Sequence, residues 1–444
     1  MPGLRRCPLP FYHDSSRYLA WLTEAPYPVL LDSGKPNSER GRYSLISADP
    51  SQTFAFDAEC TAAVSAQIAQ IETAIAGFLH DRELPFCGGA IGYISYEFGE
   101  SQHLRRPASD ALPSWFTAIY DWVIVVDHQR QCSELVVQPC CESGWPERLL
   151  ATAAQSTDDS QPPSFTLSSD FTSTLDWPAY RRAFNAVQEY ILAGDCYQIN
   201  LTRQFSARFQ GSPLAAYRRL RNTAAAPFSA YWDIGDGQLL SFSPERFISA
   251  EDKRLLTQPI KGTARRSADP AEDVALAAAL QSSDKNRAEN VMIVDLLRND
   301  LGRNCQAGSV RVDTLLELQS FRTVHHLVST ISGKLLPART PLRALLDCFP
   351  GGSITGAPKR RAMEIIAELE PSRRALYCGT LFYLGADGRM DSNILIRSFV
   401  CKDGEIRGWA GGGIVADSVA EEEFRETEEK LGKLMTTLAE STAD

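Results

Sequence analysis

No apolar run in this chain approaches the roughly 18 residues that a membrane-crossing helix needs, so no membrane partner is expected. The 11 cysteines are an odd, scattered set without a CxxC pair. That argues against a zinc ribbon and a disulfide framework, and for reduced thiols in a cytoplasm. Positive charge is in deficit, with a net charge of -10. A nucleic-acid surface is therefore not expected, and an anionic ligand needs Lys, Arg or a cation supplied locally. Arg5 and Arg6 have no apolar segment behind them, so no signal peptide is expected. No internal repeat and no long low-complexity segment is present.

What is there suits a globular protein with a large core: 444 residues, 44% of them hydrophobic and 23% charged. At about 150 residues per domain the length suggests two or three domains. Residues 1–150 form a mixed first region, with a strand at Pro28–Gly34, a helix over Ala62–Leu79 and a Gly-rich strand over Cys87–Glu97. The glycines of that strand suit close backbone packing. Trp115–Val126 ends in a buried strand, and Ser133–Gln138 is its expected hairpin partner. Residues 151–173 have linker composition, and Trp177 then opens a helix that stops at Gly194. In the second region, 174–440, strands are expected at Cys196–Arg203, Ala230–Ile234, Leu239–Phe242, Arg246–Ser249, Leu376–Leu384 and Asn393–Val400. Helices are expected at Ala271–Gln281, Arg287–Leu301, Pro341–Leu346, Pro358–Glu368 and Val419–Thr437. This is an α/β or α+β pattern with several strands near enough in sequence to pair antiparallel.

One lysine has little around it to keep it solvated. Lys261 stands in Gln258-Pro259-Ile260-Lys261-Gly262-Thr263, which reads as a short strand entering a Gly-marked turn. Desolvation there lowers an ammonium's pKa and exposes a neutral amine that can attack carbon. Most lone lysines in turns are solvated, so the case depends on the other motifs. Glu245, in Ser243-Pro244-Glu245-Arg246, lies between strands as a candidate general acid or base. Glu289, in the first turn of its helix, either complements the helix dipole or ligates a hard cation with a second carboxylate. Glu423, Glu426 and Lys430 fall on one face of the last helix. Gly411-Gly412-Gly413 precedes it and fits a run of backbone N–H groups that receives a carboxylate better than a dinucleotide site. Gly351–Lys359 nearly imitates a P-loop, but Ala357 replaces the lysine, which favours a small anion or a close structural turn. His325 and His326 point opposite ways on a strand, so they do not chelate together, though one could bond a substrate oxygen. Arg397 suits a bidentate carboxylate clamp.

These motifs, in this order, resemble the chorismate-utilising enzymes. The residues that carry the resemblance are Asp195–Asn200, Ser243–Arg246, Pro259–Thr263, Glu289 with Asp295–Asp300, Pro350–Lys359 and Gly411–Ser418. It covers about 175 to 438 densely and the first region loosely. The resemblance implies one α/β (α+β) unit like anthranilate synthase component I: two stacked, mostly antiparallel sheets in a sandwich flanked by helices. Both regions would contribute strands, and 151–173 would be a loop rather than a boundary.

Within the family, Lys261 looks like the aminodeoxychorismate synthase branch, since anthranilate synthases typically have Ala there. Gln198 stands where isochorismate and salicylate synthases have a base lysine, which argues against water as nucleophile. The implied roles are Lys261 as nucleophile and Glu245 as proton donor. Mg2+ would be held by Glu289 and Glu426 with Glu423 nearby. Chorismate would be bound by Gln198, Thr263, His326, Tyr383, Arg397, Gly411, Gly412, Gly413 and Lys430. The implied product is 4-amino-4-deoxychorismate, a precursor of p-aminobenzoate and folate. No glutaminase region is recognisable in the chain, so ammonia is expected from a separate glutaminase subunit in a heterodimer. The family often holds tryptophan in its first region, and Leu31, Asp32, Ser33, Tyr43 and Ser44 resemble part of that pocket. The usual Asn-Pro-x-Pro is here Ala224-Ala225-Ala226-Pro227-Phe228, a departure that argues against tryptophan. The rival activities are anthranilate synthase component I and a catalytically silent glutaminase-binding partner.

Overall fold

The run from Trp115 to Val126 does not make one strand. It breaks at Asp121 into Trp115–Tyr120 and Trp122–Asp127, and the two halves enter different sheets. The computed structural model describes residues 3–38, 41–57, 61–104, 112–155, 164–321 and 324–440. Among these residues the strands form two antiparallel sheets, of thirteen and ten strands. Trp232 of the larger sheet meets Tyr93 and Phe116 of the smaller, with ring centroids 5.9 and 5.5 Å apart. The sheets are thus packed face to face with helices outside them, the architecture that the resemblance implies.

The sequence pattern shows why the larger sheet is buried on both faces. Along Phe228–Asp233 and Gln238–Ser243, Ala230, Trp232 and Leu239 enter the core between the sheets. Their neighbours Tyr231, Leu240 and Phe242 enter a second core under the outer helices. A strand apolar on both sides reads as a continuous apolar run. Trp232 is fully buried, so its loss to Ala would cost about 3–5 kcal/mol.

Neither sheet belongs to one region of the chain. Val29–Asp32 pairs with Phe228–Asp233 in the larger sheet, and Gly89–Ile94 pairs with Thr380–Gly385 in the smaller. Residues 1–150 and 174–440 interleave in both. The segment with linker composition holds the end of a helix, Trp145–Gln155, and two short strands, Phe165–Leu167 and Thr172–Ser173, that pair with Gln198–Gly211. Part of it, 156–163, lies outside the described residues. In the Gly-rich strand a Cβ at Gly92 would stand 2.6 Å from the Phe382 ring, so the glycine serves close packing as expected.

Several expected boundaries move. Asn393–Val400 splits into Met390–Asn393 in the smaller sheet and Ser398–Lys402 in the larger. The helix carrying Glu289 begins at Asp284, under a Ser283 cap, so Glu289 lies in the second turn rather than the first. The helix Pro213–Ala224 and the long hairpin Arg311–Ser320 with Val324–Lys334 were not expected. Among the described residues no helix is long and apolar enough to cross a membrane.

Candidate active site

Two crossings between the sheets lie side by side and build the site. Ser243-Pro244-Glu245 leads from Gln238–Ser243 in the larger sheet to Arg246–Glu251 in the smaller. Ile394–Arg397 leads back the other way. They are tied together: the Ile394 N–H donates to the Glu245 carbonyl at 3.1 Å, and the Ser243 hydroxyl donates to the Ile394 carbonyl at 2.6 Å. Where strands leave their ladders, side chains are freed to face a ligand. Glu245 and Arg397 sit on these crossings and line one cavity of about 170 Å3.

Lys261 reaches the same cavity from the edge strand Ile260–Arg265. The Gly-marked turn expected there is a bulge within a strand: pairing with Val324–Lys334 shifts register between Ile260 and Thr263. Gly262 takes φ +94 at the shift, a backbone state that glycine adopts without strain. Such bulges re-aim a side chain beside an active site. Lys261 Nζ donates to the Ser353 carbonyl at 3.3 Å, and the Ser353 hydroxyl donates to Glu245 Oε1 at 3.4 Å. Burial pulls the Lys261 ammonium below the usual lysine value, against the charges of Glu245, Glu289 and Glu426. Burial pushes the Glu245 carboxyl up to about 7, against the pull of Lys261. An acid poised near neutrality beside an amine pushed toward its neutral form suits covalent catalysis with proton transfer.

Positive charge surrounds this pair, as an acidic protein with an anionic ligand requires. Arg397 has no hydrogen-bond partner for its guanidinium among the described residues, and it lines the cavity. Burial lowers its pKa, against the charge of Glu245. Lys430 Nζ lies 2.8 Å from the Gly411 carbonyl and 2.6 Å from Glu426, the ion pair that the helix spacing gives. Thr263 Oγ1 lies 2.9 Å from His326 Nδ1. His325 faces away, 2.8 Å from the Ser320 hydroxyl and 3.1 Å from Asp273.

Gly411–Gly413 differs from expectation. It is not an open run of N–H groups but the end of strand Glu405–Ile414, paired along one edge with Gln198–Gly211. Its other neighbour, Ser398–Lys402, pairs only as far as Gly408, so among the described residues no strand lies beside the far edge beyond it. The glycines are required by close side chains. A Cβ at Gly412 would stand 2.6 Å from Glu423, and one at Gly413 2.6 Å from the Gln198 amide. Gln198 is fully buried there, and among the described residues neither atom of its amide has a hydrogen-bond partner.

Three carboxylates near the site form an oxygen-only set: Glu426 beside Lys430 at 2.6 Å, Glu423 packed against Gly412, and Glu289, whose charge acts on Lys261. Glu423 accepts from Ser418 at 2.7 Å and stands 3.8 Å from Lys285. Burial, then the like charge of Glu426, raises its pKa. Among the described residues no three acidic, His or Cys groups close round one point. Hard carboxylate oxygens with an open remainder fit Mg2+, which keeps several waters and binds through one or two carboxylates plus a ligand anion.

Other expectations are corrected. Tyr383 does not line this cavity. It sits inside strand Thr380–Gly385 and lines a separate cavity of about 570 Å3 with Leu31, Asp32, Tyr43, Pro227 and Phe228. Ser33 and Ser44 do not line that second cavity; their hydroxyls are 3.2 Å apart, and Asp32 is held by Arg221 and Tyr217 at 2.8 Å each. The P-loop-like run is a close structural turn: a Cβ at Gly352 would meet Leu296 at 2.1 Å. Its Lys359 is taken by Asp300 and the Cys348 carbonyl, both at 2.9 Å. Lining residues that sequence reasoning missed are Tyr377, Asn200, Ser353 and Trp409. The first lies inside the turn 375–378, just before Cys378, and carried no motif of its own; the others sat inside or near motifs already noted, without a distinguishing signal.

Comparison with known proteins agrees with this geometry. A family model described as chorismate binding enzyme matches residues 27–436. The chain is 41% identical over 442 residues to aminodeoxychorismate synthase component 1 of Escherichia coli, covering 95% of each chain. It is 40% identical over 450 residues to aminodeoxychorismate synthase component 1 of Klebsiella aerogenes, covering 97% of this chain and 98% of the other. Among solved structures, anthranilate synthase component I from Streptococcus pneumoniae superposes with TM-score 0.78 at 30% identity, covering 90% of this chain and 93% of that one. With its matched span reaching across both sheets and the crossings that carry Glu245 and Arg397, the chain belongs to the chorismate binding enzyme family.

Proposed function

We propose that this chain aminates chorismate to 4-amino-4-deoxychorismate, the precursor of p-aminobenzoate, taking ammonia from a separate glutaminase subunit in the cytoplasm. The observation that carries this reading is the half-buried, desolvated Lys261 amine bridged through Ser353 to Glu245, with the charges of Glu289 and Glu426 acting on it. The relatives named aminodeoxychorismate synthase component 1 support it along nearly the whole chain, and the word component supports a second subunit.

The chain's own residues suffice for the proton and bond changes. Lys261, as the neutral amine, forms a C–N bond to the ring. Glu245, protonated near neutrality, gives its proton to the departing C4 hydroxyl, which leaves as water. Ammonia then bonds to C4, the lysine–ring bond breaks, and the surplus proton returns to Glu245. Arg397 clamps a substrate carboxylate bidentately, while Lys430 neutralises another. Thr263 and His326 hold the ring face, while Gln198, buried behind Gly413, supports that strand and does not act as a base. Mg2+ would be held by Glu289 and Glu426 with Glu423 beside them, and when bound it would neutralise substrate carboxylate charge.

The test is product identity. Chorismate, Mg2+ and ammonium chloride incubated with the protein should give 4-amino-4-deoxychorismate by mass spectrometry. Growth of blue anthranilate fluorescence would instead assign the chain to the anthranilate-forming branch.

A further inference from the structure

We propose that Ser353 is a further positioning residue of this amination: its carbonyl orients the Lys261 amine and its hydroxyl holds the Glu245 carboxyl. The inference rests on the amination reading above. Lys261 and Glu245 come from different elements, an edge strand and a sheet crossing. They are bridged at the 3-10 turn Gly352–Ile354, where Ser353 bonds to Lys261 at 3.3 Å and to Glu245 at 3.4 Å.

The turn is held too firmly to drift. Leu296 packs where any Cβ at Gly352 would stand. The Thr355 hydroxyl donates to the Gly351 carbonyl at 3.1 Å. The buried Arg374 guanidinium donates to the Ile354 carbonyl at 3.0 Å and is itself fixed by Glu370 at 2.7 Å. A lysine side chain has many rotamers to lose, so a fixed acceptor is needed to aim it. When a neutral amine donates one N–H to the Ser353 carbonyl, its lone pair must point away from that oxygen. The hydroxyl does a second job. It donates to the carboxylate and can turn to accept from the carboxylic acid more weakly, so the contact persists through proton loss while favouring the charged form.

The experiment measures chorismate consumption by the full chain with saturating ammonium chloride and magnesium chloride from pH 6 to 9. Each variant is divided by wild type at the same pH, which cancels the ionisation of ammonia. Ser353→Ala keeps the carbonyl and loses the hydroxyl. It should lower kcat about tenfold and move the limb set by Glu245 upward by about one pH unit, with the chorismate KM within about twofold. Ser353→Thr keeps a hydroxyl and should restore the limb. Ser353→Cys, close in size with a weaker donor, should behave like Ala and serves if the Ala variant does not fold. A superimposable Ser353→Ala profile, or a loss equal at every pH, overturns the proposal. Lys261→Ala in the same assay separates the two failures. Wild-type activity in that variant sinks the amination reading itself, whereas an inactive Lys261→Ala with an unshifted Ser353→Ala sinks only the role of Ser353.

Discussion

Pro244 and Ile260 stand in the wall between the two cavities, and each immediately precedes a reacting residue, Glu245 and Lys261. The larger cavity therefore touches the site through the backbone that carries both groups. Ile260→Ala should thin this wall. The expected result is kcat/KM lower by about tenfold, from misplacement of Lys261, with a stability loss of only about 1–2 kcal/mol because Ile260 is half-buried. Steady-state rates and urea unfolding measure the two. Unchanged kcat/KM would mean that the wall does not position the amine.

Glu245 makes the fold less stable as the pH rises. Its folded pKa of about 7 lies above the ordinary 4.5, so between those values the native state holds a proton that the unfolded chain has released. Stability from this group is full below 4.5 and lost as pH climbs through 7. Glu245→Gln removes the linkage. It should match wild type at pH 4 and exceed it by on the order of 2–3 kcal/mol at pH 8, while losing activity. A stability difference that stays constant with pH would contradict the assignment.

The placement of the candidate site was legible where it is local: Lys261 and Glu245, each singled out from a short run, line one cavity. Glu289 was misplaced by one turn, because the cap that starts its helix is Ser283. What the sequence did not reveal depends on long-range pairing. Tyr383 and Tyr377 are six positions apart, yet one faces the larger cavity and the other the active site, because a strand begins between them at Thr380. Only the end of the run Trp115–Val126 reads as a strand; that its first half is a strand of the other sheet, with a corner at Asp121, rests on pairing. The hairpin strand Arg311–Ser320 is largely exposed and carries no alternating pattern, so no periodic signal marked it.

Arg397 should control substrate binding more than turnover. Replacing its fork with a single ammonium in Arg397→Lys removes bidentate geometry. The chorismate KM should rise about 10- to 100-fold, with a smaller change in kcat. A kcat loss at constant KM would assign Arg397 to the transition state instead.

The carboxylates proposed for Mg2+ should separate from the fold. Glu289→Gln and Glu426→Gln should each raise the Mg2+ concentration for half-maximal rate by at least about tenfold, with thermal unfolding unchanged, since neither is buried. Chelation should stop chorismate consumption by wild type. Full activity in excess EDTA would remove the metal from the proposal.

The most direct measurement is the rate of 4-amino-4-deoxychorismate formation by Lys261→Ala at saturating ammonium and Mg2+. Loss of at least about a thousandfold is predicted for a covalent nucleophile, in a protein that is at least as stable as wild type because an amine held below its usual pKa by burial has been removed. Product formation at the wild-type rate would contradict the account.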